Sequence, residues 1–431
     1  MSVETARFAT TAVHAARNHA PAASRATPVY LTAGFEFEDF DHAADHFGSG
    51  DGFGYSRTGN PTVRAVERQL AALEGGADAL LLASGQAAVA TALLSVAGAG
   101  DHVVASEHIY EGSRGLLVDN LARLGIETTF VDDIADPEAW RSALRPSTRA
   151  LFAESIANAR NDVLDVSAIA AVADAAAIPL IVDNTLATPY LLRPLEHGAS
   201  IVVHSASKFL AGHGSVLGGV IVDDGRFDAA KAGHNAAHLV LPGRGGTPSV
   251  AARHGGLARI AYARESVAPR FGATPSPLNA FLVGQGAETL GLRVERQSRN
   301  ALAVARWLAE HDAVESVDHV GLPSHPDHDT AVRYLHGGYG SVFTVTLRGG
   351  LPAAKSLVEG VRVFTHMTHI GDVRSLVLHP GSTSHVLRSA EERERLGIRP
   401  GTVRLSIGIE DIDDLIEDLA QVLQPVREVV R

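Results

Sequence analysis

Ile178-Pro-Leu-Ile-Val-Asp-Asn-Thr185, Ala199-Ser-Ile-Val-Val-His-Ser-Ala-Ser-Lys-Phe209, Gly212-His-Gly-Ser215 and Gly218-Gly219 make up the stretch whose reading decides the fold. Its two apolar runs, Leu180 to Val182 and Ile201 to Val203, are short and rich in β-branched residues, as strands buried on both faces are. Each run ends in polar residues: Asp183-Asn184-Thr185 after the first, His204-Ser205 and Ser207-Lys208 after the second. In an open α/β sheet, ligands bind just past the carboxyl ends of strands. The pattern therefore predicts that Asp183 and Lys208 face one crevice. A lysine and a carboxylate, with hydroxyls and glycines beside the lysine, are the groups that pyridoxal phosphate requires. The lysine joins the cofactor's aldehyde, and the aspartate pairs with its pyridine nitrogen. Ser205 and Ser207 are then candidates to hold the phosphate. A plainer reading also exists, two core strands whose polar ends meet solvent, because polar residues at strand ends are common.

Upstream of this stretch, strand and helix alternate. Strands are predicted at 79–83, 102–105, 127–131 and 150–153, with helices at 62–73, 87–96, 112–124, 137–144 and 166–176. Repeated βαβ units imply an α/β fold, a mostly parallel central sheet with helices on both faces. Ser84-Gly85-Gln86 joins a strand to a helix, where free N–H groups and the positive end of the dipole create an anion site. Residues 1 to 60 show little periodicity beyond a short helix near 6–16. Gly48 to Gly54 is glycine-rich and reads as a loop, with Tyr55 and Arg57 its chemically useful residues. No strand precedes it and the G-x-G-x-x-G spacing fails, so it is not a dinucleotide loop.

Downstream, residues 224–277 have little period and read as a long excursion with short helices, walling the site or a subunit contact. A helical pattern runs from Pro277 to about His311, with Gly284, Gly286 and Gly291 expected to bend it. Beyond it a smaller α+β unit is predicted, with strands at 314–317, 341–347, 375–378 and 402–406 and helices at 351–361 and 411–423. At 431 residues the chain exceeds one typical core. The division that follows is an N-terminal arm (1–60), a large cofactor-binding domain (61–277) and a small C-terminal domain (278–431).

Composition narrows the function classes. A net charge of −12 argues against nucleic acid or an anionic membrane as main partner. Cysteine is absent, which removes disulfides, thiolate nucleophiles and cysteine zinc sites. No apolar run is long enough to span a bilayer and the first residues lack an apolar signal core, so the cytoplasm is the expected location. The 21 histidines include His325 with His328 and His366 with His369 at spacings that ligands use. Neither pair sits in a strong motif, and no metal site is expected. No Ser-His-Asp order or G-x-S-x-G elbow occurs.

From about Thr11 to Leu423 the chain resembles the Cys/Met-metabolism family of pyridoxal-phosphate enzymes, with its motifs in the family's order. Ser205-Ala-Ser-Lys-Phe209 with Asp183-Asn-Thr185 upstream is the most specific of them. The resemblance implies fold type I of the pyridoxal-phosphate-dependent transferases. It implies that Lys208 carries the cofactor and moves protons, and that Asp183, Thr185, Ser205 and Ser207 hold it. Tyr55-Ser-Arg-Thr-Gly-Asn-Pro-Thr62 matches a motif whose tyrosine and arginine, here Tyr55 and Arg57, reach the cofactor phosphate of the neighbouring subunit. Ser84, Gly85 and Gln86 match the phosphate turn, and Tyr110 in Glu107-His-Ile-Tyr-Glu-Gly112 matches the tyrosine that stacks on the pyridine ring and joins the catalytic residues.

In Glu154-Ser-Ile-Ala-Asn-Ala159 the implied cofactor contact is Asn158, although Ala159 stands where the family usually has proline. In Gly401-Thr-Val-Arg-Leu-Ser-Ile-Gly408 the implied clamp on the substrate α-carboxylate is Arg404, assisted near Ser375 and by Tyr55. An arginine fork suits a carboxylate because the two meet bidentately. His379-Pro-Gly-Ser-Thr-Ser-His385 completes the C-terminal signatures.

Within the family, the long 225–281 segment and Gly371-Asp-Val-Arg-Ser-Leu-Val-Leu-His-Pro380 resemble the O-acetylhomoserine sulfhydrylases more than the shorter cystathionine enzymes. This implies a γ-replacement in methionine biosynthesis, O-acetylhomoserine plus sulfide giving homocysteine and acetate, by a homotetramer built from dimers with shared active sites. Cystathionine γ-synthase or γ-lyase and O-succinylhomoserine sulfhydrylase chemistry remain open on the same fold, as does a non-catalytic ligand-binding or scaffold protein.

Overall fold

The two apolar runs ending at Asp183 and His204 become neighbouring parallel strands, and the sheet is built around them. The computed structural model describes residues 6–16, 24–49, 52–158 and 160–423. Residues 50–51 of the glycine-rich stretch and Ala159 lie outside the described residues.

The first sheet contains β1 (Asp78–Leu82), β2 (His102–Ser106), β3 (Glu127–Val131), β4 (Thr148–Glu154), β5 (Leu180–Asp183), β6 (Ile201–His204) and β7 (Gly219–Asp223) in the order β1-β7-β6-β5-β4-β2-β3. The pairs from β3 to β6 are parallel. Strand β7 enters antiparallel between β1 and β6, a strand the sequence reading passed over because it begins at a glycine. Apolar clusters on both faces, one around Val182, Val202 and Leu151 and the other around Ile181, Val203 and Phe152, bury alternate residues of the same strands. This is why those strands read as unbroken apolar runs.

The second sheet contains β8 (Val314–Asp318), β9 (Val342–Leu347), β10 (Thr365–His366), β11 (Leu376–Leu378) and β12 (Thr402–Ser406) in the order β10-β11-β12-β9-β8. Arg404 sits mid-strand on β12, opposite Leu378 of β11 and Thr344 of β9.

Three local expectations are corrected. A helix, Phe40–Ser49, occupies part of the arm, its start capped by Asp39, whose Oδ1 takes the His42 N–H at 2.8 Å. The predicted 112–124 helix opens as Glu111–Gly115 and continues as a π-helical turn, Leu116–Leu121. The pattern after Pro277 is two helices, Pro277–Glu288 and Leu290–Ala309, broken at Thr289. Its glycines are not the bend. A Cβ on Gly286 would lie 2.4 Å from the Ala211 carbonyl oxygen and 2.5 Å from that of Leu210, so glycine lets this helix approach the turn after Lys208. Arg293 completes that junction, donating to the carbonyls of Phe209 (2.8 Å) and Gly286 (2.7 Å). With carbonyls instead of carboxylates around it, burial lowers its guanidinium to about 10.

Gly286→Ala is expected to destabilise the protein by about 2 kcal/mol, the typical range for overpacking against fixed backbone. Urea unfolding measures this, and a midpoint equal to that of the parent would show that the turn yields.

Candidate functional site

Polar residues at the carboxyl ends of β4, β5 and β6 meet residues of the second sheet across a cavity of about 1050 Å³. Ser84, Gly85, Gln86, Tyr110, Asn158, Asp183, Thr185, Ser205, Ser207, Lys208 and Arg404 all line it. A second cavity, of about 490 Å³, lies at the other end of the strands. Two ion pairs cross its lining, Lys231 with Asp174 and Arg259 with Asp224.

The phosphate-type turn follows from helix geometry. Ser84 caps the helix Gly85–Leu94 by accepting the Ala87 N–H at 3.1 Å, leaving the N–H groups of Gly85 and Gln86 without intrahelical acceptors. A Cβ at Gly85 would lie 2.6 Å from Cβ of Ser205, so glycine lets the β6 turn close against this helix start. The Gln86 side chain donates to the Gly112 carbonyl at 2.9 Å, tying the turn to the Tyr110 loop. Ser207 lines the cavity, but its hydroxyl donates to the Gly218 carbonyl (3.2 Å) and accepts the Gly218 N–H (3.0 Å).

Asp183 and Glu154 are paired positions on adjacent strands, so parallel pairing sets two carboxyls side by side. Burial, then repulsion by Asp183, pushes the Glu154 carboxyl up to about 8. Burial also raises Asp183, against hydrogen bonds from the Thr185 hydroxyl (2.6 Å) and N–H (2.9 Å). Two buried carboxyls so close favour keeping one proton between them. Glu154 was not singled out from the sequence. It accepts the backbone N–H of Tyr110 at 2.6 Å and of Asn158 at 3.2 Å, so one carboxyl positions both. A glutamate closing an apolar run beside a second strand ending in aspartate was the available signal.

Lys208 has cations and a histidine for neighbours. Burial, with Arg404 nearby, lowers its amine to about 8, and Nζ lies 2.9 Å from Nδ1 of His369. The ring, lowered to about 4 by burial and the lysine's charge, accepts that bond in its neutral form. His369 had been weighed only as a metal ligand. Arg404 is buried, donating to the Thr368 carbonyl (3.0 Å) and the Asn158 side-chain oxygen (3.3 Å), and burial lowers it to about 10. The dipeptide Thr368-His369 thus holds both cations.

Three expected site residues lie elsewhere in this chain. Tyr55 and Arg57 are exposed on the arm, the Arg57 guanidinium 5.5 Å from the Tyr55 ring centroid and donating to the Pro269 carbonyl at 3.0 Å. Ser375 is buried against Glu410, its N–H donating at 2.6 Å and its hydroxyl at 2.9 Å. Among the described residues no group of three or more histidines and carboxylates is arranged to hold a metal ion.

These residues fit pyridoxal phosphate on structural grounds. A half-buried amine lowered to about 8, a carboxylate at a neighbouring strand end and a glycine cradle with unspent N–H donors share one cavity.

Comparison with known proteins agrees. The profile of Cys/Met metabolism PLP-dependent enzymes matches residues 9–424. An O-acetyl-L-homoserine sulfhydrylase of Corynebacterium glutamicum is 42% identical over 428 residues, covering 96% of this chain and 95% of its own. A homocysteine synthase of Schizosaccharomyces pombe is 40% identical over 428 residues, covering 98% of this chain and 100% of its own. A Campylobacter jejuni crystal structure assigned as an O-acetylhomoserine (thiol)-lyase superposes with a TM-score of 0.93 at 33% identity, covering 97% of this chain and all of that one. It carries N'-pyridoxyl-lysine-5'-monophosphate.

With its amine lowered to about 8, cofactor-free protein should take up pyridoxal phosphate faster as pH rises, because only the neutral amine attacks an aldehyde. The visible absorbance of the bound cofactor follows the uptake. The rate should level off above about pH 9, roughly one unit past the amine's pKa. A rate still climbing toward 10.5, the ordinary lysine value, would mean a solvated amine.

Proposed function

Because the chain belongs to the Cys/Met metabolism PLP-dependent enzymes, we propose that it catalyses γ-replacement on O-acetylhomoserine, with sulfide adding as acetate leaves to give homocysteine. The observation that carries this reading is one cavity holding a near-neutral lysine, a strand-end carboxylate and a buried arginine. The substrate comes from the sulfhydrylases that share about 40% identity with nearly the whole chain.

Pyridoxal phosphate, when bound, supplies an aldehyde for amines and a ring that accepts the electrons of a breaking bond at Cα. Lys208 would hold it, with the N–H groups of Gly85 and Gln86 and the Ser205 hydroxyl at its phosphate, Tyr110 against its ring and Asp183 at its pyridine nitrogen. A cationic ring nitrogen there would draw the pair's charge to Asp183 and leave the shared proton to Glu154. Arg404 grips the substrate α-carboxylate with a fork whose plane Thr368 and Asn158 fix. That grip orients the Cα–H bond, and misorientation at this point would slow the reaction. Lys208, when its amine is free, takes a proton from Cα and then serves Cβ, so that acetate can leave and sulfide can add. His369 accepts a hydrogen bond from Nζ and keeps the free amine at the cavity wall.

The same reading makes the enzyme a cytoplasmic homo-oligomer, a tetramer built from two dimers with shared sites. It is supported by Tyr55 and Arg57, which stand exposed on the arm and outside their own chain's cavity.

The substrate is tested by offering O-acetylhomoserine, O-succinylhomoserine and cystathionine, each with and without sulfide. Homocysteine is expected from O-acetylhomoserine only when sulfide is present. Consumption of cystathionine with O-acetylhomoserine untouched would replace this reading with a lyase. For the shared site, inactive Lys208→Ala and inactive Arg57→Ala subunits, refolded together, should recover up to about a quarter of parental activity, since half the dimers are hybrids with one intact site of two. No recovery from hybrids shown to form would confine each site to one chain.

A further inference from the structure

Thr383 and Ser384 bring the 381–395 segment to the wall of the active-site cavity. Apolar burial does not hold this segment. Val386 and Leu387 point outward, Leu387 with 98% of its surface exposed, and the helix Ala390–Arg395 buries no residue. Two side chains of the segment are buried, His385 and Arg388, and both meet Glu111, the residue after Tyr110. Arg388 donates from Nε to Glu111 at 3.0 Å and from Nη1 to Glu107 at 2.9 Å. Its Nη2 lies 2.9 Å from the Glu111 carboxylate but outside a hydrogen-bonding angle. Arg114 shares Glu107 at 2.5 Å. His385 Nε2 stands 3.7 Å from Glu111, and burial lowers its ring to about 4, leaving it neutral. Nη1 of Arg388 also stands 3.7 Å from Glu392 on its own segment. Across the seam two guanidiniums face two carboxylates, Glu107 and Glu111, which flank Tyr110.

We propose that Arg388 is a positioning residue for the substrate: its fork latches the 381–395 segment to the Tyr110 turn, holding Thr383 and Ser384 against the cavity. This builds on the reading of that cavity as the amino-acid site. Removing the guanidinium leaves two largely buried carboxylates facing one cation, and relief requires the segment to move away. Apolar packing does not oppose that movement, because the segment has no buried apolar side chain.

The absence of cysteine permits a direct test. Leu387→Cys, on the exposed side of the segment, accepts a single fluorophore on the holoenzyme. Adding Arg388→Met is expected to lower the label's anisotropy and to raise KM for O-acetylhomoserine by about tenfold, with kcat falling less. Cofactor content and visible spectrum should stay as in the parent. Arg388→Lys, which keeps the charge without the fork, should fall between the two. Parental anisotropy and KM in Arg388→Met overturn the latch. Should that variant fail to fold, Glu111→Gln replaces it, and parental anisotropy there overturns the proposal equally. The label reports the segment whatever the substrate, so a loosened label without turnover of O-acetylhomoserine supports the latch and counts against the substrate alone.

Discussion

A half-buried lysine with a cation and no carboxylate among its charged neighbours is the constraint on which the site depends. Desolvation disfavours its ammonium form, and the nearest charged group, Arg404, adds repulsion in place of relief. A folded chain tolerates this only where other contacts hold the lysine's turn, and here they are backbone contacts. Arg293 donates to the carbonyl of Phe209 directly after Lys208, and Gly286 allows its helix to press against Leu210 and Ala211. Backbone contacts thus hold the turn, and the amine, lowered to about 8 and bonded to His369, gives up its proton more readily than an ordinary lysine, as a nucleophile and proton carrier must.

The carboxyl side of the cavity shows the complementary arrangement. Pairing of β4 with β5 sets Glu154 beside Asp183. Mutual repulsion lets one carboxyl hold a proton while the other stays charged for a cationic ring nitrogen. Glu154 also receives the backbone N–H groups of Tyr110 and Asn158, so the same side chain aligns a cavity-wall aromatic and the residue that steadies Arg404. Charge control and positioning are one structural feature. On the far wall, Thr368 and His369 steady Arg404 and Lys208 from the second sheet, so the site exists only when the two sheets are docked.

Local pattern carried most of the architecture. The parallel strands β2, β4, β5 and β6 bury both faces, so each reads as a short apolar run, and polar residues at their ends mark the crevice. What escaped were elements whose stability is not local. Strand β7 begins at Gly219, and its pairing with β1 and β6 comes from its place between them. Gly286 reads as a bend in isolation, and its close approach to Ala211 is visible only in three dimensions.

The sequence by itself determined which groups meet in the cavity: Lys208, Asp183, the Ser84-Gly85-Gln86 turn and Arg404 all line it. Residue type and strand-end position are local properties, so they are legible without a fold. Tertiary structure alone decided which groups tune that chemistry. Glu154 gains its role from strand register, His369 from reaching Lys208 across 161 positions of sequence, and Arg388 from meeting Glu111 across 277. A hydrogen bond or a desolvation depends on distance in space, and no local pattern encodes a distance between segments that meet only after the chain has folded.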